Sequence, residues 1–573
     1  MRVAPFTLTL VLAASVALAG TVALPEPPSG KRKPSARPAP AAAEAAAAAP
    51  AAAPAKLPVF RDVLASSGIT WQRSFGDHEL SNIVEGTGSG ACVFDFDGDG
   101  KLDIYFPQGR WEKTVSDNRG RDLIDQLQNA LYRNKGNFQF EDVTAKAGVG
   151  GHNFAFGCSA ADYDNDGRVD LLVLTYKGPE LYHNNGNGTF SEVTEKAGLS
   201  DPRWSLNGVW FDYDRDGYLD LLVTNYLEYD EGKFRSYYAA AGYPGPLSYN
   251  GTSCTLYHNN GDGTFSDVTK KAGVYNPGGR GMSSVAADLN NDGWPDLFVA
   301  NDSMESYYYE NKHDGTFEEK AMLLGLALGQ NGQGVSSMGP AVADLVGSGN
   351  LDILVPDMDY GSLHSKQGEF WADLQDRSGL ALICGQYTGW GAVVQDFDND
   401  GYTDVFIANG DSHHEYPEEA VLARNDGKGR FVDVADDSGD FFHSKWSSRG
   451  ATWADFDDDG NVDLVVVDTS GPPHLLRNGG GSGNHWLKID ARVKGGVRTA
   501  IGARVTVSAG GRRQFQEVIG VNGYLSQGDT RAHFGLGAAA QADLVQVRWP
   551  DGTTDEWKDV KADQILRLEQ GKK

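Results

Sequence analysis

Between Asp95 and Asp463 a nine-residue pattern of carboxylates returns seven times, each followed by a short β-branched apolar run. The copies read DFDGDGKLD from Asp95, DYDNDGRVD from Asp162, DYDRDGYLD from Asp212, DLNNDGWPD from Asp288, DLVGSGNLD from Asp344, DFDNDGYTD from Asp396 and DFDDDGNVD from Asp455. Their mean spacing of 60 residues makes each copy one supersecondary unit, and such units bury a continuous core only by stacking on neighbours. The runs that follow, LDIYF, VDLLVLTY and VDLVVVD among them, read as strands buried between layers. With 72 Gly, 23 Pro and only 22 % charged residues, the chain suits many short strands joined by turns.

Oxygen side chains at positions 1, 3, 5 and 9, with glycine at 6 for a sharp turn, can wrap a hard cation of Ca²⁺ size. Six copies carry the full set: Asp95, Asp97, Asp99 and Asp103; Asp162, Asp164, Asp166 and Asp170; Asp212, Asp214, Asp216 and Asp220; Asp288, Asn290, Asp292 and Asp296; Asp396, Asp398, Asp400 and Asp404; Asp455, Asp457, Asp459 and Asp463. The fifth copy has Val346 and Ser348 at positions 3 and 5, so the expectation is six structural Ca²⁺ sites and one empty loop. Acidic surface turns that bind nothing are the alternative. An EF-hand is excluded, because position 12 holds Phe106, Val173, Val223, Val299, Ile407 and Val466 where a bidentate Glu is needed. The ligand positions hold 25 of the 78 acidic residues, and six Ca²⁺ would bring the net charge from −28 to −16. That charge argues against nucleic-acid partners, which reward basic grooves.

A second pattern accompanies the first: NALYRNKGNFQFEDVTAKAGV from Asn129, ELYHNNGNGTFSEVTEKAGL from Glu180, TLYHNNGDGTFSDVTKKAGV from Thr255, YYYENKHDGTFEEKAMLLGL from Tyr307 and VLARNDGKGRFVDVADDSGD from Val421, with a worn copy from Ser362 to Leu380. Each is strand, Asn/Gly turn, strand, which with the acidic hairpin makes four antiparallel strands, the content of one propeller blade. The seventh repeat has HLLRN at His474–Asn478 but no F-x-D-V strand after it. Phe60-Arg61-Asp62-Val63 supplies that motif at the other end of the chain. The expected fold is all-β: a seven-bladed β-propeller over residues 57–483, closed by an N-terminal strand that removes the exposed edges, then a small β-sandwich or barrel-like domain over 484–573.

The repeats resemble the FG-GAP or VCBS repeats of integrin-like β-propellers. Residues 484–557, with NHWLKIDARV, RTAIGARVTVSAGG, QEVIGVNGYLSQGDTRAHFGLG and DLVQVRWPDGTTDEW, resemble the ASPIC/UnbV domain that follows such propellers in cartilage acidic protein-like chains, bacterial ones included. One departure is Val497, where that pattern has a polar residue before Arg498. The resemblance implies a secreted, calcium-dependent protein with an adhesive or matrix-contact role.

Arg2, the apolar run Val3 to Val16 and Ala17-Leu18-Ala19 read as an export signal over residues 1–19, with an uncleaved anchor as the alternative. Residues 20–56, rich in Ala and Pro, read as a disordered linker. No later segment is apolar enough to span a membrane, so the mature chain is expected at the periplasm, the cell surface or outside the cell. Cys92, Cys158, Cys254 and Cys384 allow three pairings or four separate thiols.

Blade topology places the acidic loops on one face and the long insertions 108–128 and 227–253 on the other. There Tyr237, Tyr238, Tyr243, Arg280, His413, His414 and Arg449, beside Trp390, are candidates for an aromatic and imidazole-rich rim that holds an extracellular glycan or protein. Blade packing is the alternative for Trp390, and pairing with carboxylates for the arginines. No nucleophile elbow, HExxH, CxxC or phosphate-cradling loop occurs. An enzyme acting on a small molecule through His413, His414 or Arg449 is the rival to a binding or adhesion module.

Overall fold

The computed structural model describes residues 57–572 apart from 231–232, 234–241, 359–360 and 497. The expected export signal and linker therefore lie outside the described residues, as do Tyr237 and Tyr238.

The second repeat shows how each unit is built. Its inner strand, Ala155–Ala161, is small and apolar and buried throughout. Small side chains are required where inner strands converge: a Cβ on Gly157 would lie 2.2 Å from Leu206 O of the next repeat. The chain then turns through the acidic loop into Asp170–Thr175, and continues through Gly178–Asn184 to an outer strand, Phe190–Glu192, of which only Phe190 is buried. Among the described residues seven four-stranded antiparallel sheets repeat this order. After several outer strands a single helical turn follows that the strand patterns did not reveal, such as Thr144–Ala147, stopped by Gly148 at φ 76°.

The seventh sheet consists of Ser448–Ala454, Asp463–Asp468 and His474–Asn478, with Phe60–Asp62 as its outer strand, Phe60 opposite Asn478. The first strand of the fold thus completes the last sheet. Phe60 is 1 % exposed and meets the rings of Phe397 and Phe442 edge-on. Phe60→Ala is expected to cost about 3–5 kcal/mol, read as a lower urea midpoint; an unchanged midpoint would show that the seventh sheet does not depend on this strand.

Hydrogen bonds carry closure around the whole ring. The Asn ending each third strand donates through Nδ2 to the acidic loop of the preceding sheet: Asn134 to Phe456 O, Asn184 to Phe96 O, Asn259 to Tyr163 O, Asn311 to Tyr213 O, Asn425 to Leu345 O and Asn478 to Phe397 O. In the worn fifth repeat Lys366 Nζ takes over, reaching Asn290 O at 2.9 Å. Cys92 and Cys158 form a disulfide between the inner strands of the first two sheets, while Cys254 and buried Cys384 stay free. Among the described residues no helix is long and apolar enough to cross a membrane.

The tail forms two sheets. One places His485–Arg492 between Ala532–Gly537 and Gln564–Glu569; the other orders Arg512–Glu517, Arg504–Ala509, Gln541–Arg548 and Thr554–Lys561. Its apolar residues Leu487, Ile489, Val505 and Val545 share one buried cluster with Leu172, Leu174, Trp210 and Leu219 of the second and third repeats.

Candidate metal centres

Each acidic loop is closed by its own carboxylates. In the second loop Asp162, at position 1, accepts from Asp166 N at 3.0 Å and Gly167 N at 2.9 Å. Asp170, at position 9, accepts from Tyr163 N and, at 2.8 Å, from Asn184 N, which ties the loop to the third strand. Asn165 and Gly167 take left-handed conformations at φ 60° and 90°, the second reachable at little cost only by glycine.

The fifth loop shows which side chains this shape needs. Asp344 still accepts from Ser348 N and Gly349 N, and Asp352 from Leu345 N and Val346 N. The turn therefore forms with acids at positions 1 and 9 alone. Acids at positions 3 and 5 of the other copies are not required for closure and leave oxygens for another partner.

Those oxygens converge. Carboxylate atoms of Asp95, Asp97 and Asp99, of Asp162, Asp164 and Asp170, and of Asp212, Asp214 and Asp216 lie within 4.8 Å of one another. Asp212 Oδ1, Asp288 Oδ1 and Asp457 Oδ1 are buried without a hydrogen-bond partner, a costly arrangement that a cation would relieve. Burial and then neighbouring carboxylates push Asp103 up to about 8 and Asp170 to about 9, against the lowering effect of backbone amides. Asp296, Asp404 and Asp463 are likewise raised by burial. The donor set is hard oxygen, and it fits a divalent cation of the calcium type.

A basic side chain also rides over most of these loops, one residue before the Asn of each third strand. Arg133 lies 2.6 Å from Asp97, His183 3.1 Å from Asp170, His258 3.1 Å from Asp220, Arg424 2.6 Å from Asp398 and Arg477 2.6 Å from Asp457. Sequence reasoning missed them, although LYRN, LYHN, LARN and LLRN show the alignment once the repeats are stacked. The fourth repeat differs: Glu310 stands there, and His313 from the following turn reaches Asp292.

The tail covers this same face. It is the basic part of an acidic chain, with 14 Lys and Arg against 10 Asp and Glu over residues 484–573. Lys488 Nζ lies 3.0 Å from Asp455, Arg548 2.7 Å from Asp288, and Arg498 Nη2 donates to Gly217 O at 3.0 Å. From the tail, residues 522–527 enter the centre of the ring. Asn522 pairs through its amide with both N–H and C=O of Val342, and Gln527 does the same with Ala160, so two inner strands have channel-facing groups satisfied. Tyr524 and Leu525 pack among Phe156, Leu206, Met282, Met338 and Trp390, drawn from five repeats, and Tyr524 OH donates to Thr87 O.

That plug changes the expected rim on the opposite face. Arg449 is fully buried and does not pair with a carboxylate; it donates to the carbonyls of Gly86, Gly410, Ser448 and Asp411 and lies over the Trp390 ring at 4.0 Å. Tyr243 is buried in the same cluster, its hydroxyl donating to Ser412 O, and its ring lies 5.4 Å from His413. The part of the insertion that is described packs onto the protein itself. His413 and His414 are half-buried: His413 Nδ1 bonds Ser412 Oγ, while His414 pairs with Asp411 and stacks on Tyr416, so the two rings are engaged with different partners. Arg280 bonds through its backbone N–H to Asn301 and through its guanidinium to Met304.

Comparison with known proteins agrees with this architecture. FG-GAP-like repeats match residues 116–173, 162–223, 246–299, 288–355 and 396–466, which together span half of the chain, and the ASPIC and UnbV family matches 494–573. Cartilage acidic protein 1 of Homo sapiens is 29 % identical over 299 residues, covering 50 % of this chain and 43 % of that protein. The Xenopus tropicalis protein of the same name is 28 % identical over 304 residues, covering 50 % and 44 %. The chain thus spans less than half the length of these relatives. Solved structures with a partial likeness include an Agrocybe aegerita lectin that recognises terminal N-acetylglucosamine (18 % identity, TM-score 0.37, 61 % of this chain and 88 % of that one). Another is the V. cholerae biofilm matrix protein Bap1 (12 %, TM-score 0.32, 72 % and 90 %); both are too distant to bear on function. With such repeats along half its length and an ASPIC and UnbV match behind them, the chain belongs to the FG-GAP-like repeat family.

Proposed function

We propose that this is an exported β-propeller, rigidified by Ca²⁺ in its six complete loops, that works as a binding or adhesion module for an extracellular or envelope ligand. The fifth loop carries the calcium reading: it closes without acids at positions 3 and 5, so the acids kept there in the other loops have a task other than folding the turn. Ca²⁺ would be held by the position 1, 3, 5 and 9 side chains, and would supply charge compensation and rigidity. The Cys92–Cys158 disulfide suits an oxidising compartment. A binding role is favoured over catalysis because, of the three catalytic candidates, Arg449 is committed to four carbonyls and His413 and His414 are engaged with different partners.

Calcium-loaded full chain, incubated with native envelope and matrix extracts, should retain an unmodified ligand and lose it on chelation. Recovery of a chemically altered small molecule would favour an enzyme instead. The pair Val346→Asp and Ser348→Asp should raise bound calcium by one ion per chain, measured by elemental analysis; unchanged stoichiometry would count against the ligand roles assigned to positions 3 and 5.

A further inference from the structure

Where the tail leans over the first two acidic loops, it leaves a cleft of about 630 Å³, a volume ordinary for small-ligand sites. Five arginines line it. Arg492 and Arg567 pair with Asp490, Arg531 with Asp529, and Arg168 with Asp166. Arg498 differs: it is 4 % exposed, its Nη2 donates to Gly217 O, and its Nε and Nη1 have no hydrogen-bond partner. Among the described residues no carboxylate lies within ion-pair distance of it, and Asp212, Asp162 and Asp216 act on it only from further away. A guanidinium cannot shed its charge, so burying it with donors unmet is costly unless something entering the cleft accepts from them.

We propose that this cleft binds the carboxylate of a sugar acid, a uronate within a short oligosaccharide, with Arg498 as its anchor. The assignment rests on the binding role proposed above and names the ligand class. An anion is called for by the unmet donors of Arg498. A saccharide is called for by the rest of the lining, where the carboxylates Asp458 and Asp490 stand with Thr499 and Thr530. Ring hydroxyls both donate and accept, and match such a surface. Of the apolar lining residues, Val93, Phe94 and Leu102 are buried core, while Val169 and Ile565 are partly exposed and can lie against the apolar face of a sugar ring. Asp95, Asp97 and Asp162 also border the cleft and would repel an anion. Ca²⁺ in the first two loops weakens that repulsion, so uronate binding should require calcium.

Calorimetric titration of the calcium-loaded full chain with trigalacturonate, its neutral methyl ester and tetra-aspartate tests this. Trigalacturonate should bind, the ester should not, and chelation should abolish the signal. Arg498→Gln should weaken trigalacturonate binding roughly ten- to a hundred-fold, the range for a hydrogen bond to a charged group. If Arg498→Gln does not fold, Arg567→Glu, at an exposed position on the cleft, should weaken binding and reduce its salt dependence. Equal binding of ester and acid, or trigalacturonate affinity unchanged in folded Arg498→Gln and in Arg567→Glu, would overturn the assignment. Binding of tetra-aspartate alone would replace a sugar acid with an acidic peptide. The broader reading fails separately, by an absence of calcium uptake or of any retained envelope ligand.

Discussion

Lys488→Ala is expected to destabilise the folded protein by about 3–5 kcal/mol, the cost of stranding a buried charge by removing its partner. The ammonium sits 3.0 Å from Asp455 and 3.6 Å from Asp529, and all three side chains are at most 1 % exposed. Asp529 keeps Arg531 at 2.8 Å, so the loss falls mainly on Asp455, at position 1 of the seventh loop. Chemical denaturation would read it. Two further measurements isolate the cause. Lys488→Met combined with Asp455→Asn should recover most of the loss, because the stranded carboxylate is gone. Calcium should also shrink the effect of Lys488→Ala, since a dication in the seventh loop balances Asp455. A loss under about 1 kcal/mol without calcium would mean that the tail does not hold that loop as the geometry indicates.

Calcium removal should produce the other large change. Each site held at a hundred times its Kd contributes about 2.7 kcal/mol, so six sites together would match or exceed the roughly 5–15 kcal/mol net stability of a typical domain. Chelation is therefore expected to drop the melting temperature sharply and expose the loops to protease. A melting curve indifferent to chelator would sink the structural role. The pH dependence should invert as well. The raised carboxyls, Asp162 at about 6, Asp103 at about 8 and Asp170 at about 9, bind protons more tightly in the cation-free fold than when unfolded. Their contribution is full below the ordinary value of 3.8 and is lost as pH rises through about 6 to 9. Calcium must displace those protons, so its affinity should climb across the same range.

Much of this molecule is local and therefore legible. A turn that needs carboxylates at positions 1 and 9 and glycine at 6 writes its requirements into nine consecutive residues, so the loops stand out even where Val346 and Ser348 have replaced acids. The closing strand was visible for the same reason: Phe60-Arg61-Asp62-Val63 repeats a motif whose place in every other sheet was already known. The counter-charges were harder. Arg133, His183 and Arg424 come from a strand 13 to 36 residues beyond the acids they face, and their role appears only when the third strand folds back along the second.

The tail's part was decided by tertiary structure alone. Lys488 lies in a strand where Leu487, Ile489 and Ala491 alternate with polar residues, yet it is buried because the tail seats on the acidic face. Arg449 and Tyr243 read as an open rim, yet Tyr524, from far along the chain, helps fill the centre of the ring. The sequence by itself determined the repeat, its acidic loops and the strand that closes the ring, because each depends on backbone geometry within a few residues. Which charges meet, which aromatics are buried and where a cleft remains depend on surfaces brought together across hundreds of residues, and only the folded chain decides them.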